Sequence, residues 1–481
     1  MIQHFITYFI ARGLPGLINF LAIIIYSRIL PPEQYGTYAI VLASISLINS
    51  ILLSWLRLGV LRYYPSYTTE ERKLFLSTVF IAFLAYMLLS GGIISCIALF
   101  GIIAEEYSSI WLLGLCLLWV SGWFEINLEI FRAELSPKSY GWFYLSKTIL
   151  ALVISIGIIF SFHLGMTALV IGSILAMFIP LLFVIPKVWS GVNFHYFNRN
   201  ILKTLLAYGL PLTLTLTMGF LIDSSDRLLL GWLSGPSSTG LYAVTYDFAQ
   251  QTIILIMTIV NLASYPIIIH TLENGDQVEV QKQLEKSFVL LFLLAFPTVC
   301  ALIILSPNIS FLFFGTDYQA AAIVVIPWIA LVSLIQGIKA FYLDLAFQLS
   351  KQTIKQVFPV VIGAALNILL NLWWIPLYQI KGAIMATLIA YVVSSIMSWW
   401  LGRRYFVLPI PKREIWKIVI ITVVMFCALY PIHHLKGFIA LIVQIGVGII
   451  VYGLGIWVFN VLNIRKALPL AERNLKIKVK G

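Results

Sequence analysis

Five basic residues fall inside stretches otherwise too apolar to carry charge: Arg12, Arg57, Lys147, Arg227 and Lys339. Six carboxylates do the same: Glu125, Glu129, Asp223, Asp226, Asp247 and Asp344. A charge at the centre of a membrane helix costs about 2.5–3.5 kcal/mol on insertion scales, so such residues line water or pair with each other. Arg12, Arg57 and Lys147 sit at matching depths, roughly 8–12 Å inside one end of their apolar stretches at 1.5 Å rise per residue. Together they can form a basic ring, and a guanidinium fork binds phosphate bidentately. A structural reading stands beside this one. Glu125 and Glu129 lie at similar depth, share a helix face at i,i+4, and can neutralise Arg12 and Arg57. Lys339 and Asp344 are five apart, a spacing that does not stack on an α-helix, so Lys339 is expected to be free to face a cavity and joins the anion-binding candidates. Asp223 and Arg227, at i,i+4, read first as a local ion pair. Asp226 and Asp247 then lead the candidates for carrying H+ or Na+, with Asp223, Glu125 and Glu129 behind them.

Other chemistry finds no support. There is no GxxxxGK[ST], HExxH or GxSxG pattern, and no Cys/His metal-ligand spacing. Cys96, Cys116, Cys300 and Cys427 all lie in apolar runs and are expected to be small buried hydrophobes, not disulfides or metal ligands. No catalytic residue, metal or cofactor is expected, beyond an H+ or Na+ gradient as a source of free energy.

The elements that must hold these charges follow from composition. Of 481 residues, 61% are hydrophobic and 10% charged, against about 45–50% and about 25% in soluble proteins. The apolar residues come in long blocks, which excludes both a disordered chain and a membrane β-barrel. The reading is an all-α integral membrane protein. Fourteen stretches suit spanning helices: 5–30, 36–62, 74–102, 108–132, 139–162, 166–186, 202–233, 239–269, 287–306, 319–349, 355–376, 380–402, 415–432 and 437–463. The net charge of +12 is topological and does not point to nucleic acid. With the N-terminus in the cytoplasm, 23 of the 31 basic residues fall on the inner side and only Arg28, Lys381 and Lys436 on the outer. That bias places a multi-pass protein in a cytoplasmic (inner) membrane, both termini cytoplasmic, with membrane lipids as partners.

The chain also repeats itself. Gly13-Leu14-Pro15 opens the first span and Gly209-Leu210-Pro211 the seventh. Gly36-Thr37-Tyr38-Ala39 opens the second and Gly240-Leu241-Tyr242-Ala243 the eighth. Copies six helices apart point the same way, so these are parallel repeats. The expected division is a six-helix lobe over 1–188, a basic, aromatic linker over 189–203, a second six-helix lobe over 204–404, and two extra helices with a basic tail over 405–481. Gly13, Pro15, Gly209 and Pro211 are hinge candidates, because Pro removes a helix hydrogen bond; a fixed packing kink explains them equally well.

At these residues the chain resembles the polysaccharide flippases of the multidrug/oligosaccharidyl-lipid/polysaccharide exporter superfamily. The stretches that carry the resemblance are Arg12, Ser27-Arg28-Ile29-Leu30-Pro31-Pro32-Glu33-Gln34-Tyr35-Gly36-Thr37-Tyr38-Ala39, Asp226-Arg227-Leu228-Leu229-Leu230-Gly231-Trp232-Leu233 and Gly240-Leu241-Tyr242. The resemblance implies two lobes around a cavity that opens alternately to each side. It implies a lipid-linked oligosaccharide substrate on a polyprenyl diphosphate, turned over in the making of cell-surface polysaccharide such as the O-antigen of lipopolysaccharide. A cationic cavity and polysaccharide-assembly enzymes as partners are implied with it. The alternatives are a multidrug/cation antiporter of the same superfamily and a membrane-embedded glycan enzyme such as a polymerase; the short outer loops argue against the second.

Overall fold

The computed structural model describes the backbone of residues 2–68, 70–99 and 108–465, and their side chains except those of 2–12, 97–99, 108–109, 215 and 463. The side chain of Arg12 and the basic tail after residue 465 thus lie outside the described residues. The helices are α1 (Ile2–Ile29), α2 (Pro32–Leu52), α3 (Ser54–Tyr63), α4 (Glu71–Leu99), α5 (Ser108–Ala133), α6 (Pro137–Phe162), α7 (Met166–Val188), α8 (Arg199–Glu273), α9 (Gln277–Phe313), α10 (Thr316–Ile338), α11 (Leu345–Leu349), α12 (Val357–Tyr378), α13 (Ile380–Gly402), α14 (Lys412–Leu429) and α15 (Phe438–Val458). No strand occurs among the described residues. Lipid offers no hydrogen-bond partner, so each apolar run satisfies its N–H and C=O groups within its own helix.

Among the described residues, twelve helical segments are long and apolar enough to cross a membrane, where the sequence suggests fourteen spans. Two features explain the difference. The helix α8, Arg199–Glu273, takes in both the seventh and the eighth expected spans and runs from one to the other with a single non-helical residue, Gly235 (φ 84°, ψ 169°). That positive φ is cheap only for glycine. The first span is α1, Ile2–Ile29, of which Gly13–Ile29 is the part whose side chains are described.

Two expected spans are broken internally. The second is α2 and α3, meeting at Leu53 (φ −117°, ψ −21°). The bend is held by its own polar groups: Trp55 Nε1 donates to the Leu52 carbonyl at 2.9 Å, and Asn49 accepts from Tyr86 at 2.5 Å and donates to Ser121 at 3.0 Å. The tenth is α10 and α11, joined by a π turn over Lys339–Leu343. There the Asp344 N–H donates to the Lys339 carbonyl at 2.9 Å, five residues back.

The chain packs as two compact units, Met1–Ala243 with Ala364–Ala386 and Val244–Gly363 with Thr387–Gly481. In the first, α6 packs against α1 and α7, and α5 against α3 and α7, around Leu53, Leu56, Val60, Phe75, Val79 and Ile126. In the second, α9 packs against α10 and α14, and α14 against α15, with Val289, Ile418, Ile421 and Val461 between α9, α14 and the chain after α15. Lipid tails are as apolar as leucine, so close van der Waals packing holds such helices together. In α15 a Cβ on Gly455 would lie 2.4 Å from Ile421, whereas Gly446 and Gly453 have nothing within 4 Å. Only part of that glycine series is therefore a packing seam. The cysteines correct an expectation: Cys96, Cys116 and Cys427 are exposed on helix surfaces and Cys300 is half-buried. In an apolar span the outward face meets lipid, so a small apolar residue is stable there without a protein neighbour.

The segment after α7 is fixed by its backbone. Asn193 N–H donates to Ser77 at 3.1 Å and Asn198 N–H to Thr78 at 3.0 Å, both on α4. The short turn Phe194–Tyr196 leaves Phe194, Tyr196 and Phe197 exposed.

Candidate functional site

The bend at Leu53 determines where Arg57 points. Its guanidinium faces α5, where NH1 pairs with Glu125 and NH2 lies 3.5 Å from Glu129. Glu129 is buried and also held by Arg132 at 2.8 Å. Lys147, on α6, lies 5.6 Å from the Phe124 ring and 5.7 Å from the Tyr144 ring, near enough for Glu125 to act on it electrostatically. The structure thus brings Arg57, Lys147, Glu125 and Glu129 into one cluster, and the expected pairing of Arg57 with both carboxylates is present. Three basic side chains, counting Arg132, thus lie near two carboxylates. Arg57 keeps about 30% of its side chain exposed, while its Nε is buried without a hydrogen-bond partner.

Asp226 lies in a different environment. It is fully buried and accepts from the Tyr242 hydroxyl at 2.7 Å and the Asn371 amide at 2.6 Å. The same Asn371 amide reaches Asn367 Oδ1 at 3.1 Å, and Ser225 Oγ donates to that oxygen at 2.8 Å. Asn371 Oδ1 is buried with no partner. The carboxylate is thus surrounded by donors, a hydroxyl and an amide N–H, while one amide oxygen beside it, that of Asn371, is left over. Sequence reasoning found Asp226 but missed Asn367 and Asn371. The signal was available: two amides one turn apart in an apolar span are expensive unless they meet a partner.

Lys339 requires a correction. It is not free: its Nζ lies 2.8 Å from Asp344 Oδ2, and both residues are buried. The π turn adds one residue to the helical ring and so brings positions five apart onto one face, which an α-helix would not do. Ser398 at 2.8 Å and Gln356 at 3.1 Å complete the carboxylate's bonds. Asp223, Arg227 and Asp247 are half-buried on α8, and all three have partners.

Of the hinge candidates, Pro15 is carried within a continuous α1 and α8 passes through Pro211 without a break. Gly209 has a packing explanation, since a Cβ there would lie 2.2 Å from the Trp55 carbonyl oxygen on α3. The second repeat pair behaves differently. A Cβ on Gly36 would lie 1.8 Å from the Pro236 carbonyl oxygen, and one on Gly240 would lie 1.9 Å from that of Pro32. Gly36 and Gly240, and Pro32 and Pro236, are each 204 positions apart. The two copies of this stretch therefore meet each other reciprocally.

The comparisons with known proteins agree on this architecture. The fold is similar to that of the lipid II flippase MurJ in an inward closed conformation, with a TM-score of 0.78, 18% identity, and 95% of this chain and 99% of that one covered. It is also similar to an inward-facing multidrug resistance transporter of the MATE family, with a TM-score of 0.63, 14% identity, and coverage of 82% and 97%. An uncharacterized membrane protein of Methanocaldococcus jannaschii is 22% identical, aligned over 98% of this chain and 97% of its own. The resemblance seen in the sequence is thus matched at the level of the fold, that of a multi-span helical membrane protein. The chain belongs to the polysaccharide biosynthesis protein family, whose model matches residues 25–323, more than half of its length.

Proposed function

We propose that this protein flips a polyprenyl-diphosphate-linked oligosaccharide across the cytoplasmic membrane by alternating access, as a step in making a cell-surface polysaccharide. The observation that carries this is that a member of a polysaccharide biosynthesis family consists of membrane helices with short connections throughout its described residues. Such a protein handles its glycan within the bilayer. A head group carrying sugars and phosphates cannot cross hydrocarbon without polar partners, and Arg57 and Lys147 would supply them for the diphosphate through charge-assisted bonds, with Arg12 completing the set. Two lobes, over 1–188 and 204–404, would expose this surface alternately. O-antigen precursors of lipopolysaccharide are one substrate of the right chemistry, and polysaccharide-assembly enzymes would supply and consume it. The test is reconstitution of the purified protein in liposomes with a fluorescent polyprenyl-diphosphate oligosaccharide on the inner leaflet. Protein-dependent appearance of the glycan outside is expected. Transport of organic cations without glycan turnover would replace this reading with that of a drug antiporter.

The orientation carries its own test. Cysteines replacing Lys282 and Lys351 are expected to react with an impermeant thiol reagent only from the cytoplasmic side; labelling from outside intact cells would reverse the topology.

Asp226 would couple transport to H+ or Na+. Asp226→Asn is expected to abolish the dependence on an ion gradient while leaving the protein folded. The fold has a means of accepting the amide: its oxygen can keep the Asn371 N–H and its new N–H group can donate to the Tyr242 hydroxyl. The loss is then about 1–2 kcal/mol, the difference between hydrogen bonds to a charged and to a neutral acceptor. Gradient dependence unchanged from wild type, in protein of normal amount and melting behaviour, would remove this role from Asp226.

A further inference from the structure

A second cationic site lies in the second unit. Where α13 ends, the chain turns through residues 403–411 into α14, and a cavity of about 340 Å³ opens beside this turn. That volume lies at the lower end of the range for small-molecule pockets, about 300–1,000 Å³. Arg403 and Lys412 line it together with Trp399, Phe406, Val407 and Ser398.

The turn itself carries little to balance that charge. The one carboxylate between residues 399 and 417 is Glu414, and Lys417 holds it at 2.6 Å. Asp344, behind Ser398, is neutralised by Lys339 at 2.8 Å. Glu285 on α9 is near enough to act on Tyr342, but it does not line the cavity, whereas Arg403 and Lys412 do. The cations are also held in place. The Arg403 guanidinium lies 4.9 Å from the Trp399 ring and that of Arg404 lies 4.0 Å from the Trp400 ring. A stacked guanidinium keeps its N–H edges free for an anion. The turn is tied down too: Tyr342, on the π turn, donates its hydroxyl to the Pro409 carbonyl, and Gln281 on α9 donates to the Val407 carbonyl at 3.1 Å. A fixed site loses less entropy on binding than a mobile loop would.

The surroundings distinguish the ligand. Trp399, Trp400 and Val407 are exposed, and tryptophan marks the level of lipid head groups at the end of a span. A free phosphate has no use for an apolar wall, whereas a phosphodiester with acyl chains needs both parts. We infer that this cavity is a resident site for an anionic glycerophospholipid, its phosphate between Arg403 and Lys412 and its chains along the exposed apolar face at the end of α13. The inference rests on the membrane fold and not on the flippase reading, and it is tested without transport.

The full-length protein in detergent is titrated with phosphatidylglycerol or phosphatidylcholine, and bound lipids are counted by native mass spectrometry. Wild type is expected to retain one phosphatidylglycerol at concentrations where phosphatidylcholine is lost. Arg403→Ala with Lys412→Ala is expected to weaken that binding on the order of tenfold or more, as loss of two charge-assisted bonds implies. Lys412→Gln alone, which keeps the Arg403–Trp399 contact, serves if the double variant does not fold, and is expected to weaken it in part. Lys282→Ala with Lys286→Ala, on α9, is expected to leave it unchanged, as is excess inorganic phosphate. Wild-type retention in both cavity variants overturns the site. So does equal loss in the α9 variant, which would mean diffuse surface charge, or displacement by inorganic phosphate, which would mean a free-anion site.

Discussion

Replacing Arg57 by alanine is expected to reduce glycan export by one to two orders of magnitude, because a charge-assisted contact is worth about 1.5–3 kcal/mol and each 1.4 kcal/mol is about tenfold. Two effects are mixed in that number. Arg57 pairs with Glu125 and lies 3.5 Å from Glu129, so its removal also leaves Glu125 without its cation. Glu129 keeps Arg132 at 2.8 Å. A partly buried ion left alone destabilises the fold, by less than a fully buried one because Arg57 and Glu125 are each about one-third exposed. The control is therefore Arg57→Ala combined with Glu125→Gln and Glu129→Gln, which removes the orphaned charge. This triple variant is expected to regain the wild-type melting temperature and to remain defective in export. Arg57→Lys keeps the charge without the fork and is expected to retain an intermediate rate. Export restored in the triple variant would make Arg57 a structural counter-ion and transfer the phosphate-binding role to other groups. Rates are measured per folded molecule in liposomes, so stability and transport are read separately.

The fate of the charged residues shows what a sequence holds and what it lacks. Apolar runs and the distribution of lysine and arginine gave the all-helical membrane fold, because hydropathy and backbone satisfaction act locally. The Arg57–Glu125–Glu129 cluster was legible because matching depth on two helices narrows the partners that each charge has. Lys339 was misplaced because its partner depends on a π turn, and one residue added to a helical ring leaves no mark on periodicity. The polar knot at Asp226 was half legible: its carboxylate was conspicuous, while Asn367 and Asn371 carry no charge to betray them. Gly36 and Gly240 were recognised as copies of one motif, but their contact relates helices 204 positions apart and no local pattern encodes it.

That contact gives a second large effect. The openings of α2 and of the second half of α8 meet so closely that a Cβ on Gly36 would fall 1.8 Å from the Pro236 carbonyl oxygen and one on Gly240 would fall 1.9 Å from that of Pro32. Backbone cannot yield as a flexible side chain does, so Gly36→Ala or Gly240→Ala has to part the two helices; forcing a methyl into a packed site typically costs about 1–3 kcal/mol. In the orientation proposed from the charge bias, these ends would lie on the outer side, where their contact would close the outward path. Each single variant is expected to lower export at least tenfold and to open that path. The probe is Thr239→Cys, at a fully buried position beside the contact, in a background in which Cys96, Cys116, Cys300 and Cys427 are replaced. With both glycines intact it is expected to resist an impermeant thiol reagent, and with either alanine present to react several-fold faster. Reciprocity makes a sharper demand. Once one alanine has parted the helices, the second meets an open gap, so the double variant is expected to lose little more stability than either single one, a departure from additivity characteristic of residues in direct contact. Additive losses, or a Thr239→Cys that stays protected in the alanine variants, would show that the two glycines serve separate packing sites and do not form one closure.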